Sequence, residues 1–295
     1  MIAYKDVKSI LNKHKKRDSW FLDDYSINPY EGCGFNCTYC YVHGSKYGES
    51  LADNIVIKKD ATAILDKQLA NRAKKNEFGF IAVGSATDAY MQVEETLGMT
   101  RELLTVILKH RFPVFISTKS ELIRRDLDLL KQIDKNAILP ADLSQNPGRG
   151  VIISFSFSTL DDGLAKQLEP GAPTPQNRLE TMKEFSDNGF LCGVSAMPVL
   201  PFITDSNEEL EKIVAAAKRF KAHYVLIASL TLFGNDTRDS KQLYYKFLRN
   251  NYPHLLEKYE KMYESVHYPS WEYQQELKRK GDALCKKYGI KNSIR

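Results

Sequence analysis

The chain has 295 residues, of which 43% are apolar and 27% charged, an ordinary globular balance that excludes wholesale disorder. Forty-two Lys and Arg against 37 Asp and Glu leave a net charge of +5, which permits an anionic partner without requiring one. Five cysteines, three of them within eight residues, do not make the disulfide framework of a secreted scaffold; they point to a reduced, intracellular chain with a metal site.

Residues 1–20 are basic and lack an apolar stretch before a cleavage site, so no signal peptide is expected. No apolar run reaches the length of about 18 residues that a membrane helix needs. A soluble, cytoplasmic protein is the expectation. Residues 25–30 form the first strand-like run. A helical pattern at 61–76 follows, then a strand at 78–84, a helix at 100–110 and a strand at 113–118. Ser120 can cap a helix that puts Leu122, Ile123, Leu127, Leu130 and Ile133 on one face. After a strand at 151–158, Thr174 and Pro175 are an N-cap and first-turn pair, and Gly189 stands where that helix should stop. A strand at 190–197 precedes Ser206 and Glu209, a capping box before Leu210, Ile213, Val214, Ala217 and Phe220. The last strand is expected at 223–230.

Six β-then-α units imply an α/β fold with a parallel sheet and helices outside. Six are too few for an eight-stranded barrel, so residues 1–235 are expected to form a partial (β/α)6 barrel with its chemistry at the C-terminal ends of the strands. Residues 236–295 are expected to be a helical C-terminal extension. Its tyrosines recur at helical spacing, as core, interface or a surface that stacks nucleobases.

The sequence NPYEGCGFNCTYCY at 28–41 directly follows the first strand. Its C-x3-C-x2-C spacing lets Cys33, Cys37 and Cys40 converge on one metal centre, and thiolates select zinc or iron–sulfur. His43 can complete a Cys3His zinc set. A [4Fe–4S] cluster normally takes four cysteines, so three leave one iron open to an outside ligand. The two function classes are therefore a radical enzyme and a zinc-stabilised nucleic-acid-binding module without redox chemistry.

The cysteine spacing at the end of the first strand of a partial barrel resembles the radical S-adenosylmethionine (SAM) superfamily. Further segments are similar to the family of spore photoproduct lyase and the proteins called DNA repair photolyases. They are GSATDAY with Glu94, ISTKS at 116–120, ISFSFSTLDD at 153–162, LEPGAPTPQNRL at 168–179 and MPVLP at 197–201. The resemblance covers roughly residues 20–235. It implies a [4Fe–4S] cluster on Cys33, Cys37 and Cys40, with SAM chelated to the open iron. One electron then cleaves SAM to a 5′-deoxyadenosyl radical, which abstracts hydrogen from a substrate. A one-electron donor such as flavodoxin or ferredoxin is implied as partner, and nucleic acid is a candidate substrate.

The resemblance also implies SAM contacts. Tyr39 belongs near the adenine, and Ser85, Thr87 and Asp88 supply oxygens to the ammonium or ribose. Lys119 and Ser156 serve the carboxylate, and Met197 offers backbone to the adenine. Ser154 and Ser158 share the strand face of Ser156 and compete with it for that role. Glu169 and Arg178 are either a loop-locking ion pair or contacts to SAM or substrate. Spore photoproduct lyases keep a hydrogen-donating cysteine where this chain has Ser85, and no cysteine lies between Cys40 and Cys192. That departure argues against spore photoproduct lyase activity itself. Cys192 packs or faces the lumen, and Tyr90 is the candidate radical-carrying tyrosine by position. The basic clusters at 13–17, 58–59, 74–75, 124–125, 278–280 and 286–287 are solvated helix faces unless several share one surface.

Overall fold

The computed structural model describes residues 2–44 and 55–295. In chain order the strands and helices begin with β1 (Ile2–Lys5), β2 (Asn12–Lys13), β3 (Asp23–Ile27), β4 (Tyr30–Glu31), β5 (Ile55–Lys58) and α1 (Ala61–Lys74). Then come β6 (Phe80–Val83), α2 (Val93–Leu97), α3 (Met99–His110), β7 (Val114–Thr118), α4 (Leu127–Asn136) and β8 (Val151–Ser156). The remainder is α5 (Asp162–Leu168), α6 (Pro175–Asp187), β9 (Leu191–Val199), α7 (Asn207–Arg219), β10 (Tyr224–Ser229), α8 (Ser240–Asn251), α9 (Leu256–Met262) and α10 (Trp271–Tyr288).

All six expected strands are present and run parallel in the order β10-β9-β8-β7-β6-β3, with β2 antiparallel on the outer edge of β3. The two ends of this arc do not pair with each other, so the barrel is open. Alternation along the strands sorts the core. Ile27, Val83, Ile116, Ile153, Cys192 and Val194 pack under the helices, whereas Phe80, Ala82, Phe115, Ile152, Tyr224 and Leu226 fill the lumen floor. Gly193 makes room there, because a Cβ on it would stand 2.4 Å from the Tyr224 ring. The Tyr224 hydroxyl then donates to Ile153 O at 3.1 Å and meets Ser154 Oγ at 2.7 Å.

The capping residues act as their types dictate. The side-chain oxygens of Thr174 and Ser206 accept from the N–H groups of Asn177 and Glu209, and Gly189 follows α6 with a φ of +85°. The helix expected from Ser120 begins instead as a 3-10 stretch, Glu121–Asp126, and becomes α-helical only at Leu127. The first strand stops at Ile27, ahead of Pro29, which has no N–H for a ladder. Tyr30 and Glu31 pair instead with Ile57 and Val56, in a small sheet ordered β1-β5-β4 that the sequence reading missed.

The C-terminal helices complete the structure. α10 packs on α7 and β10 and contributes Leu277, Leu284 and Cys285 to the core under the helices. The tyrosines of α8 and α9 are buried, not presented for stacking. Tyr244, Tyr259 and Tyr263 share one cluster with Phe35, Tyr39 and Leu230, and the Tyr263 hydroxyl donates to Leu230 O at 2.9 Å. Among the described residues no helix is long and apolar enough to cross a membrane.

Candidate active site

The cysteine loop leaves the C-terminal end of β3 and is tied at both ends. Asn28 opens it, donating to Ser85 Oγ at 3.1 Å and accepting from Ala86 N at 2.8 Å. The Tyr30 hydroxyl donates to the buried carboxylate of Glu94, which also takes Arg125 at 2.6 Å and Thr100 N at 2.9 Å. Gly32, at φ +85°, makes a left-handed turn just before Cys33, and Asn36, at φ +49°, makes one just before Cys37.

The LEPGAPTP segment closes on this loop. Thr38 N donates to Leu168 O at 2.9 Å, and Gly171 N donates to Phe35 O at 3.1 Å. A Cβ on Gly171 would fall 2.2 Å from Gly34 O. That close approach explains a glycine whose need was not visible in the sequence. Gly171→Ala is expected to push the cysteine loop out of place and lower the iron retained per chain. Native iron content in that variant would show the contact to be dispensable.

Cys33, Cys37 and Cys40 all open onto one cavity of about 460 Å³. Tyr39, Ser85, Thr87, Asp88, Lys119, Ser156 and Met197 line the same cavity, so the cysteines and the candidate SAM contacts meet there. Of the three serines at alternate positions along β8 and just past its end, Ser154 is committed to Tyr224, and Ser158 donates to Glu169 at 2.7 Å and lies 2.9 Å from the Tyr39 hydroxyl. Only Ser156 of the three lines the cavity, 3.2 Å from Ser117 Oγ.

Burial raises the thiol of Cys33 to about 11 and those of Cys37 and Cys40 above their ordinary values, while Lys119 pulls Cys37 and Cys40 the other way. Burial likewise raises Asp88, against donors from Thr118, Lys119 N and Tyr90 N at 2.8, 2.8 and 2.9 Å. These bonds make Asp88 a clasp between the loops after β6 and β7. Lys119 loses to burial but gains more from Cys37 and Glu169, and its ammonium sits 5.9 Å from the Tyr39 ring centre.

Behind the cavity lies an almost fully buried ion pair. Arg178 and Glu169 meet at 2.5 Å, each side chain about 1% exposed. Arg178 also donates to Pro173 O at 2.7 and 3.0 Å and to Ser156 O at 3.0 Å. Glu169 accepts from Tyr39 and Ser158 and lies 4.0 Å from Lys119. Burial alone would raise the Glu169 carboxyl, but Lys119 and Arg178 outweigh it and hold it below the usual range. The pair locks the loop, and through Ser156 O and Tyr39 it steadies two walls of the cavity.

One sequence expectation is revised. Tyr90 is fully buried in the core under the helices and does not line the cavity, because Asp88 turns the chain away there. Tyr41 lines the cavity together with Tyr39, its hydroxyl donating to Ser85 O at 2.9 Å. Tyr90→Phe is therefore expected to leave SAM cleavage unchanged, and a clear drop in 5′-deoxyadenosine yield would restore Tyr90 to the mechanism. Cys192 faces the helices rather than the lumen and packs as an apolar residue.

The basic clusters do not merge into a bare stripe. Lys13, Arg17, Lys59, Arg124, Arg125, Lys278, Arg279 and Lys287 each pair with a carboxylate. Among the described residues no group of three or more His, Cys, Asp or Glu side chains, the three cysteines included, is arranged to hold a metal ion. His43, the fourth ligand that a zinc site needs, is not among the residues lining the cavity. Three thiols opening onto one apolar-walled cavity suit a cluster with an open coordination position better than a closed tetrahedral site.

The model of the radical SAM superfamily matches residues 27–217. The chain belongs to the radical SAM superfamily. It is accordingly an enzyme of a family whose members use an iron–sulfur cluster and SAM and need a reductant. Among relatives, an uncharacterised protein of Mycobacterium tuberculosis is 28% identical over 273 residues, covering 90% of this chain and 75% of that one. An uncharacterised protein of Methanocaldococcus jannaschii is 27% identical over 237 residues, covering 79% of this chain and 78% of that one. A spore photoproduct lyase variant solved with AdoMet and dinucleoside spore photoproduct superposes with a TM-score of 0.67 at 16% identity. The match covers 97% of this chain and 79% of that one. At that identity the likeness shows a shared radical SAM fold.

Proposed function

We propose that Cys33, Cys37 and Cys40 hold a [4Fe–4S] cluster with one open iron, and that SAM occupies that position against Thr87, Lys119, Ser156 and Met197. When bound, the cluster and SAM supply a one-electron cleavage that yields a 5′-deoxyadenosyl radical able to abstract hydrogen from substrate. The chain's own residues do the positioning. The Lys119 ammonium offers the charge for a carboxylate, and Ser156, held through its carbonyl by Arg178, adds a hydroxyl beside it. Thr87 and Ser85 bring oxygens for an ammonium or a ribose, and Asp88 braces their loop. Tyr39, fixed by Glu169 and Ser158, presents its ring to the cavity, and Phe35, Cys37 and Tyr39 share an apolar cluster that keeps water out.

The observation that carries this reading is that the three thiols, six polar or aromatic candidates and Met197 open onto one cavity in a chain of this superfamily. The electron comes from a small donor such as flavodoxin or ferredoxin in a reducing, cytoplasmic setting. Anaerobically reconstituted protein is expected to carry about four irons and absorb broadly near 400 nm. With dithionite it should convert SAM to 5′-deoxyadenosine and methionine. One zinc and no iron would overturn the reading. A nucleic-acid substrate has less support, because so many basic residues are already paired; failure to bind DNA or RNA at low salt would retire it.

A further inference from the structure

The same cavity has a second polar end. Asp23 opens β3, whereas the cysteine loop follows the end of that strand, so the carboxylate lies at the far end of the lumen from the thiols. A register shift between Asp23 and Tyr25 turns Asp23 to the lumen while Tyr25 and Ile27 pack under the helices. Ser195 on β9 also lines the cavity, but it pairs in register with Ser156 at the mouth. Both side chains are almost fully buried, Asp23 at 4% and Ser195 at 2% exposure. His14 holds Oδ2 of Asp23 at 3.1 Å, but Oδ1 of Asp23 and Oγ of Ser195 have no hydrogen-bond partner among the described residues. Leaving such oxygens unpaired is costly, and folds tolerate it where a ligand supplies the partner.

The charge around them selects that ligand. Burial raises the Asp23 carboxyl to about 6 against the pull of His14, with Asp18 and Asp24 adding to the rise, and its unpaired Oδ1 is an acceptor aimed into the cavity. The mouth is the reverse, with Lys119 lining it and Arg178 behind. A molecule with a cationic end is oriented by this polarity, cation down and reacting carbon toward the thiols. The route in need not cross the mouth. A groove of about 580 Å³ along the open edge of β10 shares Ala228, Ser229 and Thr231 with the lumen.

We propose that the lumen floor binds the ammonium end of the substrate, with Asp23 as its counter-ion. This inference rests on the radical SAM reading for what happens at the mouth, but the floor itself is tested without it. The probes are n-butylammonium chloride and 1-butanol, of similar size, one cationic and one neutral, titrated into the full-length protein and followed by ligand-detected NMR. Wild type is expected to bind the ammonium at least about tenfold more tightly than the alcohol. Asp23→Asn should erase that preference. If Asp23→Asn does not fold, Asp23→Ser decides in its place. Equal binding of the two probes by wild type, or a preference that survives in the folded variants, would overturn the proposal and make Asp23 a structural pin for His14. Iron content and 5′-deoxyadenosine formation on the same preparation report the cluster separately, so failure of one reading is distinguishable from failure of the other.

Discussion

Alanine at any one of Cys33, Cys37 or Cys40 is expected to give a folded, colourless protein that no longer cleaves SAM. The three thiols open onto a cavity, and the loop that carries them is fixed by Asn28, Tyr30, Gly34 and Thr38 rather than by sulfur. Truncation to alanine therefore removes a ligand without removing the loop's anchors. A cluster already short of a fourth cysteine cannot spare another, so 5′-deoxyadenosine formation should fall by at least about a thousandfold. His43→Ala is the control. A zinc site would need it, whereas the cluster reading predicts unchanged iron and unchanged turnover. Loss of metal in His43→Ala together with retained iron in a cysteine variant would reverse the assignment.

The second large effect is expected at the Glu169–Arg178 pair. Both side chains are about 1% exposed, so removing one partner leaves the other as a buried charge. Such a loss costs about 3–5 kcal/mol, far more than the pair contributes as a net gain. In a chain of this size the thermal midpoint should fall by roughly 6–20 °C. Arg178→Met strands a carboxylate that keeps only Tyr39, Ser158 and the more distant Lys119. Glu169→Gln leaves Arg178 with the carbonyls of Pro173 and Ser156 and should be milder. Arg178→Lys should not rescue, because one ammonium cannot reach a carboxylate and two separate carbonyls at once. The double variant should lose less than the sum of the singles. Purely additive losses in thermal melts would show that the two groups do not act as a pair.

What the sequence determined by itself was local. The spacing of the three cysteines, the six strands, the caps at Thr174 and Ser206 and the helix stop at Gly189 each depend on local pattern or on one residue's backbone preference, and each was legible. Period-2 alternation put Ser154, Ser156 and Ser158 on one face, but alternation does not say which layer of a lumen each reaches. Only packing assigns Ser154 to Tyr224, Ser156 to the mouth and Ser158 to Glu169. Tyr90 looked well placed because it follows the second strand closely. The Asp88 clasp, made by groups 30 and 31 residues away in sequence, turns it into the core.

The tertiary structure decided everything that depends on contacts between distant segments. Gly171 must be a glycine because residues 34–35 lie against it, which no local pattern could announce. Asp23 is one carboxylate among many in the chain until a register shift of β3 turns it into the lumen. The sequence thus specified the chemistry at the mouth, where the ligands lie within eight consecutive residues. The shape and polarity that choose a substrate had to wait for the fold, because they are made by strands far apart in the chain.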